Sequence, residues 1–398
     1  MNVFKKCYCR IYQFAFKAAL PFLPYREPEL VNGFNEVPDI LKRNRVSSVF
    51  IVTDQGVYKL GLTKDLEDAL NANEIKYTVY KDTVPNPTTD NVEAAKDLYV
   101  SNNCEAIIAV GGGSSMDCAK GVGIRIARPD KPLGHFAGVL KVHKKLPLFI
   151  ATPTTAGTGS ETTLTAVITD AETHHKYPIN DFPLIPMYAV MHPEITYGLP
   201  PFLTATTGMD AMTHAVEAFI GNTTTKKTRA ASIKAVKLIS DNIVTAYSDP
   251  TNHDARNNML HAAYLAGTAF TRSYVGYVHA VAHSLGGKYG IAHGLANSVL
   301  LPIVLKEYGR HAYKRLALLA RETGISDDPS NEKAANAFIA HIEDLNKALS
   351  IPDKLEGIKE EDIPELAKTA DKEGNPLYPV PVLWDALQLE KIYRLVMK

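Results

Sequence analysis

A chain of 398 residues, 45% apolar and 22% charged, is long enough for two domains with well-buried cores. Its 43 lysines and arginines balance 43 aspartates and glutamates, which argues against a nucleic-acid partner held through counterion release. The four cysteines, Cys7, Cys9, Cys104 and Cys118, make neither a zinc-knuckle spacing nor a disulfide framework and fit a reducing, cytoplasmic setting.

Residues 1–29 come first, as an extension. Lys5-Lys6 precede an apolar run at 11–20, the order of a signal peptide. Arg10, Gln13 and Lys17 interrupt it, however, and Pro21, Pro24 and Arg26 follow where a small-residue cleavage site would stand. The segment reads as an amphipathic helix packed on the body or on a partner subunit; basic amphipathic helices also lie on membrane surfaces. Nothing later is long and apolar enough to span a bilayer.

From residue 48 the chain alternates. Residues 48–54 predict a buried strand with a polar end, 62–72 a helix, 76–80 a strand, 92–101 a helix and 106–110 a third strand. Ser114 then opens a helix, and 146–151 predict a fourth strand. Such alternation implies a parallel sheet with both faces covered. After Tyr197-Gly198-Leu199-Pro200-Pro201 the pattern turns helical, at 209–220, 227–247, 256–268, 293–306 and 333–349. The expected fold is an α/β nucleotide-binding domain with a parallel sheet over 30–199 and an all-α metal-binding domain over 200–398, with a ligand cleft between them.

Gly111-Gly112-Gly113-Ser114 follows an apolar strand directly. Glycine lets the backbone approach an anion, and a helix N-terminus, here with Ser114 as its cap, offers N–H groups to a pyrophosphate. The same run also serves as a plain strand-to-helix turn. The usual dinucleotide fingerprint places an acid about twenty residues after the glycines, whereas the strand-end acid here, Asp54, lies 57 residues before Gly111. A carboxylate there can bind the ribose 2′-hydroxyl and repel a 2′-phosphate, favouring NAD over NADP; Asp also caps or turns chains at strand ends. A second glycine loop, Pro153 to Glu161, carries Thr154, Thr155 and Thr158 and suits either nucleotide contacts or a solvated turn.

Asp210 and His214 stand four apart on one predicted helix, about 40° apart on its surface. His279 and His283 repeat that spacing, and Gly286-Gly287 is expected to break their helix before His293. A lone histidine on an apolar helix is usually a packed or capping residue. Five candidate ligands in two clusters on apolar helices need another reason for burial. Carboxylate and imidazole without thiolate suit Fe(II), Zn(II) and related ions rather than Ca(II) or Mg(II). Spacing leaves open which three of the histidines bind. A vacant coordination position would make the ion a Lewis acid for a substrate oxygen.

Six segments carry a family resemblance: Ile51-Val52-Thr53-Asp54; Val84-Pro85-Asn86-Pro87-Thr88; Gly111-Gly112-Gly113-Ser114-Ser115-Met116-Asp117; Thr154 to Glu161; Gly208-Met209-Asp210 with His214; and His279 to Gly294. Over roughly residues 30–390 the chain resembles the iron-dependent (group III) alcohol dehydrogenases, related in fold to dehydroquinate synthase. The resemblance implies a metal held by Asp210, His214, His279 and His293, with His283 as an additional active-site histidine. It implies nucleotide contacts at Asp54, Asn86, Gly112, Gly113, Ser114, Asp117, Thr154, Thr155, Thr158 and Lys176. It implies NAD-linked interconversion of a small primary alcohol or diol and its aldehyde, in a homodimer or larger assembly, with His283 relaying the proton. Two features depart from the pattern: the extension 1–29, and Met191-His192-Pro193 where many relatives carry Asp-Pro. Zinc glycerol-type dehydrogenases, dehydroquinate synthase-like lyases and metal-free maleylacetate reductases are the neighbouring alternatives. The intact Asp-His-His-His set weighs against the last. A redox-inactive structural paralog is the non-enzymatic one.

Overall fold

The computed structural model describes all 398 residues, in two compact units. One is Pro24–Gly198; the other joins Met1–Leu23 to Leu199–Lys398. Of the N-terminal extension, residues 1–23 therefore belong to the helical unit and 24–29 to the sheet unit.

The sheet unit holds nine strands: β1 (Glu29–Asn32), β2 (Ser48–Asp54), β3 (Lys76–Thr83), β4 (Ala106–Gly111), β5 (Gly138–Val139), β6 (Leu148–Pro153), β7 (Thr165–Thr169), β8 (Lys176–Asn180) and β9 (Tyr188–Met191). Six of them form a sheet in the order β1-β9-β6-β4-β2-β3, parallel throughout. The other three form a small second sheet, β7 running antiparallel to β8. All of β4 is buried, as a central parallel strand must be when helices cover both faces. Alternate residues feed two cores. Phe50, Val52, Ile107, Ala109 and Phe149 enter one; Val49, Ile51, Ile108, Val110 and Ile150 enter the other.

The strands expected at 48–54, 76–80, 106–110 and 146–151 are present, while β1, β9 and the second sheet were not anticipated. Runs of four residues show too little periodicity to be read. The chain leaves β2 on one side for β3 and returns on the other side for β4. Loops after β2 and β4 therefore diverge, and open α/β sheets bind ligands at the carboxyl ends of strands where this reversal occurs. Asp54 ends β2 and Gly111 ends β4.

The helix after β4 is Gly113–Ala127, capped by Gly112. Ser114 thus lies in its first turn and is not the cap expected from its hydroxyl. Lys120, on the same helix, is fully buried. Its Nζ donates to the Ser160 and Thr165 carbonyls and to the Thr163 hydroxyl, each at 2.8 Å, and so fixes the segment that follows β6.

In the helical unit, Pro201–Ile220 buries 16 of its 20 residues, the mark of a core helix. Lys226–Ser248, His253–Ser273, Tyr277–Tyr289 and His293–Tyr308 follow it in sequence. The expected break at Gly286-Gly287 is overturned. The helix runs through both glycines and ends at Gly290, whose φ of +68° supplies a left-handed cap; two helical glycines cost only about 1 kcal/mol each. No helix is long and apolar enough to cross a membrane.

Lys120→Met should lower stability by about 3–5 kcal/mol, because buried acceptors lose their charged donor. The check is the urea midpoint, which should fall with the slope unchanged. An unmoved midpoint would mean that the ammonium contributes nothing there.

Candidate active site

The candidate metal ligands come from three helices. Asp210, His214 and Glu217 form one stripe on Pro201–Ile220, His279 and His283 sit on Tyr277–Tyr289, and His293 begins His293–Tyr308. One ligand atom each from Asp210, His214, His279 and His293 falls within a sphere of mutual distances no larger than 4.8 Å. Asp210 Oδ1 lies 3.9 Å from His279 Nε2 and 3.5 Å from His293 Nε2. Donors around a tetrahedral ion at about 2.1 Å stand roughly 3.4 Å apart, so the set fits a divalent transition metal.

Asn297 gives an independent sign of this convergence. Its Nδ2 donates to Asp210 Oδ1 at 2.7 Å and also lies 3.0 Å from His293 Nε2 and 3.2 Å from His279 Nε2. An amide with two hydrogens faces three lone pairs aimed at one point, while its own buried Oδ1 has no hydrogen-bond partner.

Two of the ligand rings are held from behind. His214 stacks on Phe270 with centroids 4.1 Å apart and on His279 at 4.5 Å. His279 Nδ1 meets Glu217 Oε2 at 2.6 Å. Glu217 also accepts from the Gly276 and Val278 N–H groups at 2.8 and 2.9 Å. Burial pushes the Glu217 carboxyl up to about 7, against the pull of those N–H groups. Burial, and next the neighbouring His214, His293 and His283, hold the His279 imidazole well below its ordinary value. Neutral imidazole with its proton on Nδ1 leaves Nε2 as a lone pair, which is the form a metal needs.

His283 is the exposed member of the group, its ring 5.1 Å from that of His293. Its Nδ1 meets Glu373 Oε1 at 2.6 Å, and the Tyr378 hydroxyl donates to the same oxygen at 2.6 Å. Burial alone would raise the Glu373 carboxyl, but His283, Tyr378 and His293 together keep it below the usual range.

Sequence reasoning missed Glu217, Asn297 and Glu373. Glu217 had a signal, since a third ionisable group on the Asp210 stripe of an apolar helix demands a partner. Asn297 is one turn past His293 on the same face. Glu373 carried none, being 90 residues from His283 on a helix that reads as ordinary surface.

In the sheet unit the other expected residues lie at or after the ends of β2, β3, β4 and β6, on the helix Gly113–Ala127 and at the start of β8. Asp54 Oδ1 accepts from the Val57 N–H at 3.0 Å, capping a short helix, and its Oδ2 accepts from the Ser115 hydroxyl at 3.3 Å. The Thr154 N–H donates to the Gly111 carbonyl at 3.1 Å. The Asn86 N–H donates to Ser114 Oγ at 3.3 Å, and Lys176 Nζ donates to Asn86 Oδ1 at 2.7 Å. Asp117 turns into the protein, toward the Val167 N–H and the Ser160 side chain; burial raises its carboxyl to about 6 although Lys120 opposes the shift.

The three glycines differ. A Cβ on Gly111 would meet Ser115 Oγ at 2.3 Å, so packing requires that glycine. At Gly112 and Gly113 the nearest atoms, Thr155 Oγ1 and Thr158 Cγ2, would be 3.8 and 3.5 Å away. The protein leaves these two positions open. The helix they start has no side-chain cap, so its first N–H groups face this space, a cradle that fits a pyrophosphate. His192, the departure noted above, packs against Phe34 with the rings tilted by 48° and centroids 4.5 Å apart, and lies 3.2 Å from Glu194.

The family described as iron-containing alcohol dehydrogenase matches residues 31–193, and the C-terminal part of that family matches 204–396. Alcohol dehydrogenase 4 of Schizosaccharomyces pombe is 39% identical over 348 residues, 85% of this chain and 81% of that protein. The crystal structure of a 1,3-propanediol oxidoreductase superposes with a TM-score of 0.89 at 34% identity, over 94% of this chain and 98% of that one. A sulfoacetaldehyde reductase from Bifidobacterium kashiwanohense, solved in complex with NAD+, gives a TM-score of 0.84 at 29% identity, over 94% and 98% of the two chains.

Replacing Glu217 with Gln should weaken metal binding about 10–100-fold with all four ligands intact, as read by chelator competition. Gly294→Ala should act similarly from the backbone, because its Cβ would fall 2.6 Å from the Thr206 carbonyl oxygen and push His293 away from Asp210. Wild-type affinity in both variants would show that neither residue positions the ligands.

Proposed function

The chain belongs to the iron-containing alcohol dehydrogenase family, and on that premise we propose that it interconverts a small primary alcohol or diol and its aldehyde, using NAD and an Fe(II) ion held by Asp210, His214, His279 and His293. The observation that carries this reading is the convergence of three imidazole nitrogens with the oxygen of one buried carboxylate. When bound, the ion supplies Lewis acidity toward the alcohol oxygen and the dinucleotide supplies the hydride acceptor.

The rest falls to the chain's own groups. Asp210 contributes the negative charge that makes a cation favourable in a buried place. Glu217 keeps the His279 proton on Nδ1. His283 takes the hydroxyl proton released as alcohol becomes aldehyde, and its Nδ1 contact with Glu373 holds the ring for outward transfer. In the sheet unit the first N–H groups of Gly113–Ala127 receive the pyrophosphate, with Thr155 and Thr158 beside it. Asp54 accepts from the ribose 2′-hydroxyl and repels a 2′-phosphate. The four free thiols suit a cytoplasmic enzyme, and the family resemblance argues for a homodimer or larger assembly.

Anaerobically purified protein should contain iron and oxidise NADH with short aldehydes. Asp210→Ala and His279→Ala should lose both metal and turnover by at least about a hundredfold. Full turnover in metal-free variants would overturn the reading, and zinc in place of iron would move the protein to the glycerol-type branch. Coenzyme choice has its own test. Asp54→Ser keeps a capping oxygen for the Val57 N–H while removing the charge. It should raise the NADPH-to-NADH ratio of kcat/KM by about tenfold or more; an unchanged ratio would remove Asp54 from coenzyme selection.

A further inference from the structure

The N-terminal helix Val3–Ala19 docks with its polar side inward. The terminal ammonium pairs with Asp385, and Lys5 with Asp371 at 2.9 Å. The Arg10 guanidinium donates to the Val380 and Pro381 carbonyls at 2.8 and 3.0 Å. Gln13, which is buried, donates to the Tyr378 carbonyl at 2.7 Å. With Gln13, Cys9 and Leu20 are the other buried side chains of this segment. On the opposite side, at 100° per residue, stand Phe4, Ile11 and Phe14, and just past the helix Phe22. They are 87, 68, 74 and 88% exposed.

A surface helix ordinarily turns its apolar stripe to the core. This one turns it away, and a contiguous exposed apolar row marks a surface that something covers. Charge identifies the cover. The first 26 residues hold five cations (Lys5, Lys6, Arg10, Lys17 and Arg26) and no carboxylate, in a chain of net charge zero. Lys6 and Lys17 are exposed together on one flank of the helix, about 60–80° round from Phe14 and next to the docked side. Pairing this face with the same face of a second copy would set like charges together with nothing to neutralise them. An anionic lipid surface accepts both the apolar row and its basic margin.

We propose that this helix holds the protein on an anionic bilayer, lying in the headgroup plane without crossing it. The role lies outside the alcohol chemistry and does not depend on it.

The test uses the full-length protein with vesicles of phosphatidylcholine containing phosphatidylglycerol, and of phosphatidylcholine alone. Of the four thiols only Cys7 is exposed, so an environment-sensitive fluorophore on it reports helix insertion in the native sequence. The protein should float with the anionic vesicles, the probe should shift to the blue, and added salt should weaken both signals. The double variant K6E/K17E should reduce partitioning roughly twentyfold or more. F4E/F14E should abolish it while leaving turnover in solution unchanged. Three results would overturn the proposal: no flotation and no probe shift, equal binding to both vesicle types, or a fall in solution mass on F4E/F14E without any vesicle binding. The last would assign the face to a second copy.

Discussion

A carboxylate buried in an apolar helix governs the helical unit. Asp210 is almost fully buried, and an ionised group there costs several kcal/mol unless a cation or strong donors meet it. His279 does not meet that demand, because burial and the neighbouring histidines hold its imidazole well below its ordinary value. Asn297 contributes one amide, whose hydrogens are shared among more acceptors than they can serve. Local features that look unrelated follow from this single deficit. Gly294 lets its helix reach the Thr206 carbonyl, and Glu217 spends a buried carboxylate on holding one ring. Phe270 gives His214 a flat wall to lie against. Each would be hard to justify by stability alone, and each is explained by aiming lone pairs at one point.

The sheet unit is arranged for the opposite charge. The ends of β2 and β4 lie where the strand order reverses, the place where open α/β sheets bind ligands. Gly112 and Gly113 remove side chains that the protein itself would accommodate, and the helix they open lacks a capping side chain that would use its N–H groups. Partial positive charge is left facing an open space. Asp54 sits nearby as an acid already used as a cap. Capping and ligand contact are compatible, since one oxygen serves the backbone and the carboxylate keeps its charge.

How far these arrangements could be read in advance depended on the range of the interaction. Strands of six or more residues with apolar runs, such as β2 and β4, announced themselves, and so did the i, i+4 pairs of Asp210 with His214 and His279 with His283. The four residues brought together by the fold were all visible as residue types on helices. Their exact partners were not, because Glu373 reaches His283 only through tertiary packing. The glycine pair at 286–287 misled for a physical reason. Glycine weakens a helix by about 1 kcal/mol, which packing around a buried face can offset, whereas the stop itself came from the positive φ of Gly290. Ser114 misled similarly, since Gly112 had taken the cap position and freed that hydroxyl for Asn86.

The N-terminal helix shows where periodicity fails most instructively. Amphipathic spacing correctly indicates a helix but assumes that the apolar side faces inward. Here the receiving surface is Pro376-Leu377-Tyr378-Pro379-Val380-Pro381, in which three prolines among six residues remove N–H groups while every carbonyl remains. A strap of that kind is rich in acceptors and poor in donors, and burying it without partners would be costly. Arg10 and Gln13 supply the donors, as Asn222 does from the body of the unit with its N–H and its side chain. Hydrogen-bond satisfaction therefore sets the rotation of the helix, and the hydrophobic stripe is left outside as a consequence. That consequence is tolerable for a chain in water only while the stripe is small, and Phe4, Ile11, Phe14 and Phe22 together make it large. The orientation that satisfies the proline strap is thus also the one that equips the helix to meet a second surface.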